Sequence, residues 1–194
     1  GMFRRCQAKI NKRQQSEIIV MTNYYMRIAD FNVCVRLSNL NDKHFEIPRQ
    51  YMPFALGDAE NETCLFVLDV DDKFHFDNYG RSVKKFNDTD NSHKVYLLDD
   101  GSYQFEVFDT DSFLCCSMQT DSTFSRIHVA LEGNSIQRIF GFNNAMMITF
   151  AFSSAMHQTL LMHSSVTLYR DRGNMFLGKS GTGKSTHSSL WLHN

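Results

Sequence analysis

Asn174-Met-Phe-Leu177-Gly-Lys-Ser-Gly-Thr-Gly-Lys184-Ser185 is the stretch around which this chain is read. Asn174 to Leu177 is a short apolar run suited to a buried strand, and Lys184 to Leu192 reads as a helix. The glycine-rich segment between them therefore links strand to helix, the setting a phosphate-binding loop requires. Its spacing, G-x-x-x-x-G-K-S over Gly178 to Ser185, is the full Walker A pattern. Gly178, Gly181 and Gly183 permit positive φ and let the backbone approach a ligand closely. The N–H groups at the start of the helix lack intrahelical partners, so they converge on an anion with help from the helix dipole. In such a loop the lysine, here Lys184, reaches the β- and γ-phosphates, and the next hydroxyl, here Ser185, ligates Mg²⁺.

Just upstream, Leu160-Leu-Met-His163-Ser-Ser-Val-Thr-Leu-Tyr169 reads as a strand with a histidine near its head. Arg170-Asp-Arg-Gly173 then makes a tight turn, so His163 and the loop lie on adjacent strands of one hairpin. Before that comes the longest apolar stretch, Ile139 to Met162, interrupted by Asn143, Asn144, His157 and Gln158. Its uninterrupted middle is too short to span a bilayer, and a buried amphipathic helix from about Ser135 to Thr159 is expected. Phe142, Met146, Met147 and Phe150 are its core positions, and Asn143 and Asn144 are candidates for a site, with capping or a buried hydrogen bond the favoured reading.

From Tyr24 to Leu131 the pattern has period two. Val33, Val35 and Leu37 alternate with Cys34 and Arg36, and Cys64 to Leu68 is a buried strand candidate. Lys94 to Leu98, Asp99-Asp-Gly101 and Tyr103 to Phe108 have the form of a hairpin. Phe113 to Met118 and Arg126 to Leu131 add two strands, while Pro48 and Pro53 bracket an irregular link. The short spacings favour an antiparallel meander over β-α-β units.

Composition agrees with a globular chain: 194 residues, 42% hydrophobic and 21% charged. Five cysteines without C-x-x-C spacing read as reduced, buried thiols, and Cys115 and Cys116 point to opposite faces of one strand. No signal peptide is recognisable, so a cytoplasmic location is expected. Residues 2–20 carry five basic residues against Glu17, a balance of +4. From Asp69 to Asp121 twelve acids face five bases, a balance of −7. The acidic middle argues against a nucleic-acid groove, and the basic arm reads as a solvated helix. Neither nucleic acid nor membrane is an expected partner.

His163, the hairpin and Phe176-Leu-Gly-Lys-Ser-Gly-Thr-Gly-Lys-Ser185 resemble the beginning of the catalytic domain of HPr kinase/phosphorylase. The separation of His163 from Lys184 matches that family's pattern. Ser180 to Thr186 also resembles the kinase motif of ATP-dependent phosphoenolpyruvate carboxykinase, which shares the fold. Thr186-His-Ser-Ser-Leu-Trp-Leu192 is similar to a bacterial subgroup of HPr-kinase-like proteins of unassigned substrate. The resemblance covers about Asn143 to Leu192; the β-rich part is similar only in outline to that subgroup's N-terminal module.

The resemblance implies phosphoryl transfer from ATP, or from pyrophosphate, with Mg²⁺, toward a protein substrate. Gly178, Lys179, Ser180, Gly181, Thr182, Gly183, Lys184, Ser185 and Thr186 then surround the phosphates, Ser185 ligates the metal, and catalytic His163 lies near the transferring group. Thr186 stands where HPr kinases place a glutamate. The acids those families use for metal binding and proton transfer come further downstream, so the chain reads as cut short after the loop helix. The expected fold is α+β: a basic extension (1–20), an antiparallel β-rich module (21–134), then a long buried helix, hairpin and loop of an incomplete nucleotide-binding domain (135–194). Three functional readings follow. The chain is the ATP-binding portion of a kinase-like phosphotransferase, catalytically incomplete by itself; or an interaction module carrying a remnant loop; or an enzyme completed in trans by another chain.

Overall fold

Two-residue turns and alternating apolar residues shape the first strands. β1 (Thr22–Ile28) and β2 (Phe31–Ser38) pair antiparallel around Ala29 and Asp30, whose φ values are 47° and 68°. Two left-handed residues in succession give the turn a twist that matches its strands. The computed structural model describes residues 21–57, 63–76, 81–82 and 92–192, so the basic extension expected over 1–20 lies outside the described residues. Six further strands complete one sheet: β3 (Phe66–Asp71), β4 (Arg81–Ser82), β5 (His93–Leu97), β6 (Tyr103–Phe108), β7 (Leu114–Thr120) and β8 (Arg126–Leu131). Their spatial order is β1-β2-β3-β8-β7-β6-β5-β4.

The protein is α+β, and the expected hairpin of β5 and β6 is present around Gly101, at φ 82°. The sheet is mixed, however, which corrects the expected antiparallel module. β2 runs parallel to β3, and β3 runs parallel to β8. The physical reason lies in the connections. The link 39–65, with its 3-10 turn at Arg49–Phe54, carries the chain back to the end where β2 began. β3 is then joined to β8 only after the other strands of the sheet, β4 to β7, have been laid down.

One face of the sheet is apolar. Val33, Val35, Leu37, Phe66, Leu68, Val70, Ile127, Val129 and Leu131 are buried there, side by side in register. α1 (Ser135–Ala155) covers this face, contributing Phe142, Ala145, Met146 and Phe150 to the same core. Fully burying each such side chain is worth about 1.5–3 kcal/mol relative to exposure. Met147, expected in the core, is half exposed, because it falls on the flank of the helix turned away from the sheet. Among the described residues, no helix is long and apolar enough to cross a membrane.

Polar side chains fix the start of α1. The Asn134 side chain accepts from Ile136 and Gln137, while the Gln137 side chain accepts from the Asn134 N–H, a complete capping box. Asn143 and Asn144 do not cap the helix. Asn143 accepts from Gln50 and Tyr51, and Asn144 donates to the Phe140 carbonyl and meets His93. The helix stops at Ala155, before Thr159. Inside, Arg138 donates to the Asp72 carboxylate and to the Leu131 carbonyl, both at 2.7 Å, which ties α1 to the residue just after β3.

The chain divides into two compact units, one through Gln158 and one from Thr159. α1, expected to group with the hairpin and loop, belongs to the first, because its apolar side is buried against β7, β8, β3 and β6.

Candidate phosphate-binding loop

The second unit is built from β9 (Ser164–Tyr169), β10 (Arg172–Leu177) and α2 (Lys184–Leu192). Arg170 and Asp171 form the turn, with φ values of 49° and 59°, as the tight turn required. The expected strand over Leu160–Tyr169 is shorter, since pairing begins at Ser164. β10 pairs only with β9 among the described strands, and it is not buried as expected: Met175 and Leu177 are both more than half exposed.

α2 lies on the hairpin face that carries Ser165, Thr167 and Phe176. The Ser165 and Ser188 hydroxyls are hydrogen-bonded to one another, and the Phe176 ring meets His187 at 5.3 Å and Trp191 at 5.9 Å. Trp191 also meets Tyr169 edge-on at 6.1 Å. Trp191 thus packs within its own unit. The Ser165–Ser188 pair was missed in the sequence, where two serines 23 positions apart carry no signal. Val166, Leu168, Met175 and Leu177 alternate with the covered residues and remain exposed on the opposite face.

The loop curls as its glycines allow. Gly181 and Gly183 have φ values of 82° and 79°. An ideal Cβ on Gly178 would sit 2.8 Å from the Thr182 hydroxyl oxygen, so the absent side chain makes room for that turn. Thr182 donates through its hydroxyl to the Lys179 carbonyl at 2.8 Å. Lys184 folds back over the loop, and its ammonium donates to the Gly178 and Lys179 carbonyls at 2.9 Å each. The first helical bond beyond the loop runs from the His187 N–H to the Gly183 carbonyl at 2.9 Å. The N–H groups of Lys184, Ser185 and Thr186 precede it, so they have no carbonyl within α2 to bond. Their direction and the helix dipole favour a negative group at this end.

The expected residues come together at one end of the hairpin. Gly178, Lys179, Ser180, Gly181, Thr182, Gly183, Ser185 and Thr186 are exposed, and Lys184 is half-buried. The last pair of the β9–β10 ladder is Ser164 with Leu177, so His163 and Gly178 are the next residues beyond it. His163 thus sits exposed at the mouth of the loop, ahead of the strand and not on it. No group of three or more His, Cys, Asp or Glu side chains is placed to hold a metal ion among the described residues. A Mg²⁺ here would be held by the Ser185 hydroxyl and by phosphate oxygens. Asp171, the one carboxylate from Thr159 onward, sits in the hairpin turn at the end opposite the loop.

Compared with family models, with curated proteins and with solved structures, the chain matches none.

Proposed function

We infer that the Gly178–Ser185 loop binds the phosphates of ATP or of a related polyphosphate such as pyrophosphate. On this reading the chain is the nucleotide-binding portion of a phosphotransferase of the HPr kinase and phosphoenolpyruvate carboxykinase type. The observation that carries the reading is the position of Lys184. Its ammonium lies against the loop's own carbonyls at the N-terminus of α2, where a bound phosphate would meet it together with the free amides.

The division of labour follows from charge. Phosphoryl transfer is positioning plus neutralisation, and it needs an acid to hold metal or orient the nucleophile. The segment 172–194 contains no Asp or Glu, so this segment supplies binding, and the acids come from elsewhere in the protein or from another chain. On this reading His163, next to the last pair of the β9–β10 ladder, would contact the transferring phosphoryl. A protein acceptor and a cytoplasmic setting, where ATP is abundant, belong to the same proposal.

Isothermal titration of the full chain with ATP and Mg²⁺, wild type against Lys184→Ala, tests it. Binding by the wild type, weakened at least tenfold in the variant, is expected, since a lost charge-assisted contact costs about 1.5–3 kcal/mol. Indistinguishable heats from the two proteins would remove the nucleotide reading.

A further inference from the structure

The loop carries a second lysine that the Walker pattern does not call for. We propose that Lys179 is a second phosphate-binding cation, and that the Lys179–Lys184 pair makes this site select condensed phosphates over a single orthophosphate. The ligand class is pyrophosphate, tripolyphosphate or the tail of a nucleoside triphosphate. This inference rests on the loop reading given above.

Geometry holds the root of the Lys179 side chain near the Lys184 ammonium. The Lys184 ammonium lies 2.9 Å from the Lys179 carbonyl oxygen. A carbonyl oxygen is about 2.4 Å from its own Cα, so the Lys179 Cα is held within about 5 Å of the Lys184 ammonium. A lysine side chain spans roughly 6 Å, which lets the Lys179 ammonium reach whatever phosphate Lys184 touches, or the next one along. The Lys179 backbone does not swing freely. Its carbonyl accepts from the Thr182 hydroxyl at 2.8 Å and from Lys184, which pins the root of the side chain to the loop.

Electrostatics supplies the reason. The Lys179 side chain is exposed, and no hydrogen bond or ion pair engages its ammonium among the described residues. Lys184 spends its donors on two neutral carbonyls. Arg172, Lys179 and Lys184 are the only formal charges from 172 to 194, and Arg172 starts β10 at the far end of the hairpin. Two like charges whose side chains can reach the same ligand, with no Asp or Glu from 172 to 194 to pair with them, favour an anion long enough to span both. Orthophosphate meets one ammonium well; a chain of two or more phosphates meets both.

The test is titration of the full chain with orthophosphate, pyrophosphate and tripolyphosphate in metal-free buffer of low ionic strength. Wild type, Lys179→Ala, Lys179→Arg and Lys184→Ala are compared. The proposal expects pyrophosphate to bind wild type at least tenfold tighter than orthophosphate. Lys179→Ala should lose most of that tenfold preference by weakening pyrophosphate several times more than orthophosphate, and Lys179→Arg should retain it. The side chain is exposed, so its truncation leaves the fold intact, which far-ultraviolet circular dichroism checks. An unchanged pyrophosphate preference in Lys179→Ala, with binding lost in Lys184→Ala, overturns the two-lysine proposal and leaves the loop reading standing. If Lys184→Ala binds as wild type does, or wild type binds none of the three anions, both fall.

Discussion

Replacing Arg138 by alanine should destabilise the eight-stranded unit more than any single truncation of its surface. Arg138 is 2% exposed and is the one charged residue of α1, and its guanidinium also lies 5.5 Å from the Phe45 ring centre. Its partner Asp72 is as deeply placed, and that carboxylate accepts from the Asn41 N–H at 2.7 Å and the Leu131 N–H at 3.2 Å. Truncating the arginine leaves the carboxylate buried with two neutral donors and no cation. Breaking one side of a buried pair costs about 3–5 kcal/mol, against about 5–15 kcal/mol for the whole stability of a domain. The assay is urea unfolding followed by far-ultraviolet circular dichroism, which reports the sheet. The single tryptophan, Trp191, belongs to the other unit, so its fluorescence would not serve. Arg138→Met, Asp72→Asn and the double variant complete a cycle, in which coupling of at least about 1 kcal/mol is expected. A loss below about 1 kcal/mol for Arg138→Ala, or strict additivity in the cycle, would refute the claim that this pair locks α1 to the sheet.

Gly141→Ala should also destabilise, by about 2 kcal/mol, although alanine is intrinsically the better helix former by about 1 kcal/mol. The new Cβ would lie 2.5 Å from the Cys115 carbonyl oxygen and 2.9 Å from the Cys116 Cβ, so an unchanged or raised urea midpoint would contradict the close approach of helix and strand. Burial pushes the Cys116 thiol far above its ordinary range, and burial likewise raises Cys34 and Cys115. Among the described cysteines, alkylation at pH 8 followed by mass spectrometry should therefore label half-buried Cys64 first and leave those three intact until the protein unfolds. Hydrogen bonds from the Gln137 side chain and from the Phe113 and Asp111 N–H groups hold the Asp109 carboxyl below the usual carboxylate range. A depressed folded value means that its contribution is present above the unfolded value of about 3.9 and fades as pH falls through the folded one. Melting-temperature differences between wild type and Asp109→Asn should be present at pH 6 and shrink as pH falls below about 3.9; a constant difference would contradict this assignment.

Much of the second unit was legible because its signals are local. Glycine spacing, the Arg170–Asp171 turn and the helix after Ser185 each depend on neighbours within a few residues, where φ preferences and unpaired amides act. The β5–β6 hairpin and the start of α1 were legible for the same reason. Strand direction was not. A period-two pattern puts the same side chains on the core face whether the neighbouring strand runs parallel or antiparallel, so Val35 against Leu68 and Leu68 against Ile127 could not reveal a mixed sheet.

The sequence by itself determined that a strand feeds a glycine-rich turn, and that Lys184 and Ser185 open the helix after it. Only the tertiary structure decided which face of the β9–β10 hairpin α2 would cover. It chose the face of Ser165, Thr167 and Phe176, through the serine pair and the Phe176–Trp191 contact, and left Val166, Leu168, Met175 and Leu177 open. Likewise only folding could give Arg138 its counter-ion, because Asp72 lies 66 positions away in the chain. Backbone preferences act over a few residues and are written locally, whereas packing and charge pairing depend on distances in space that no spacing in the chain encodes.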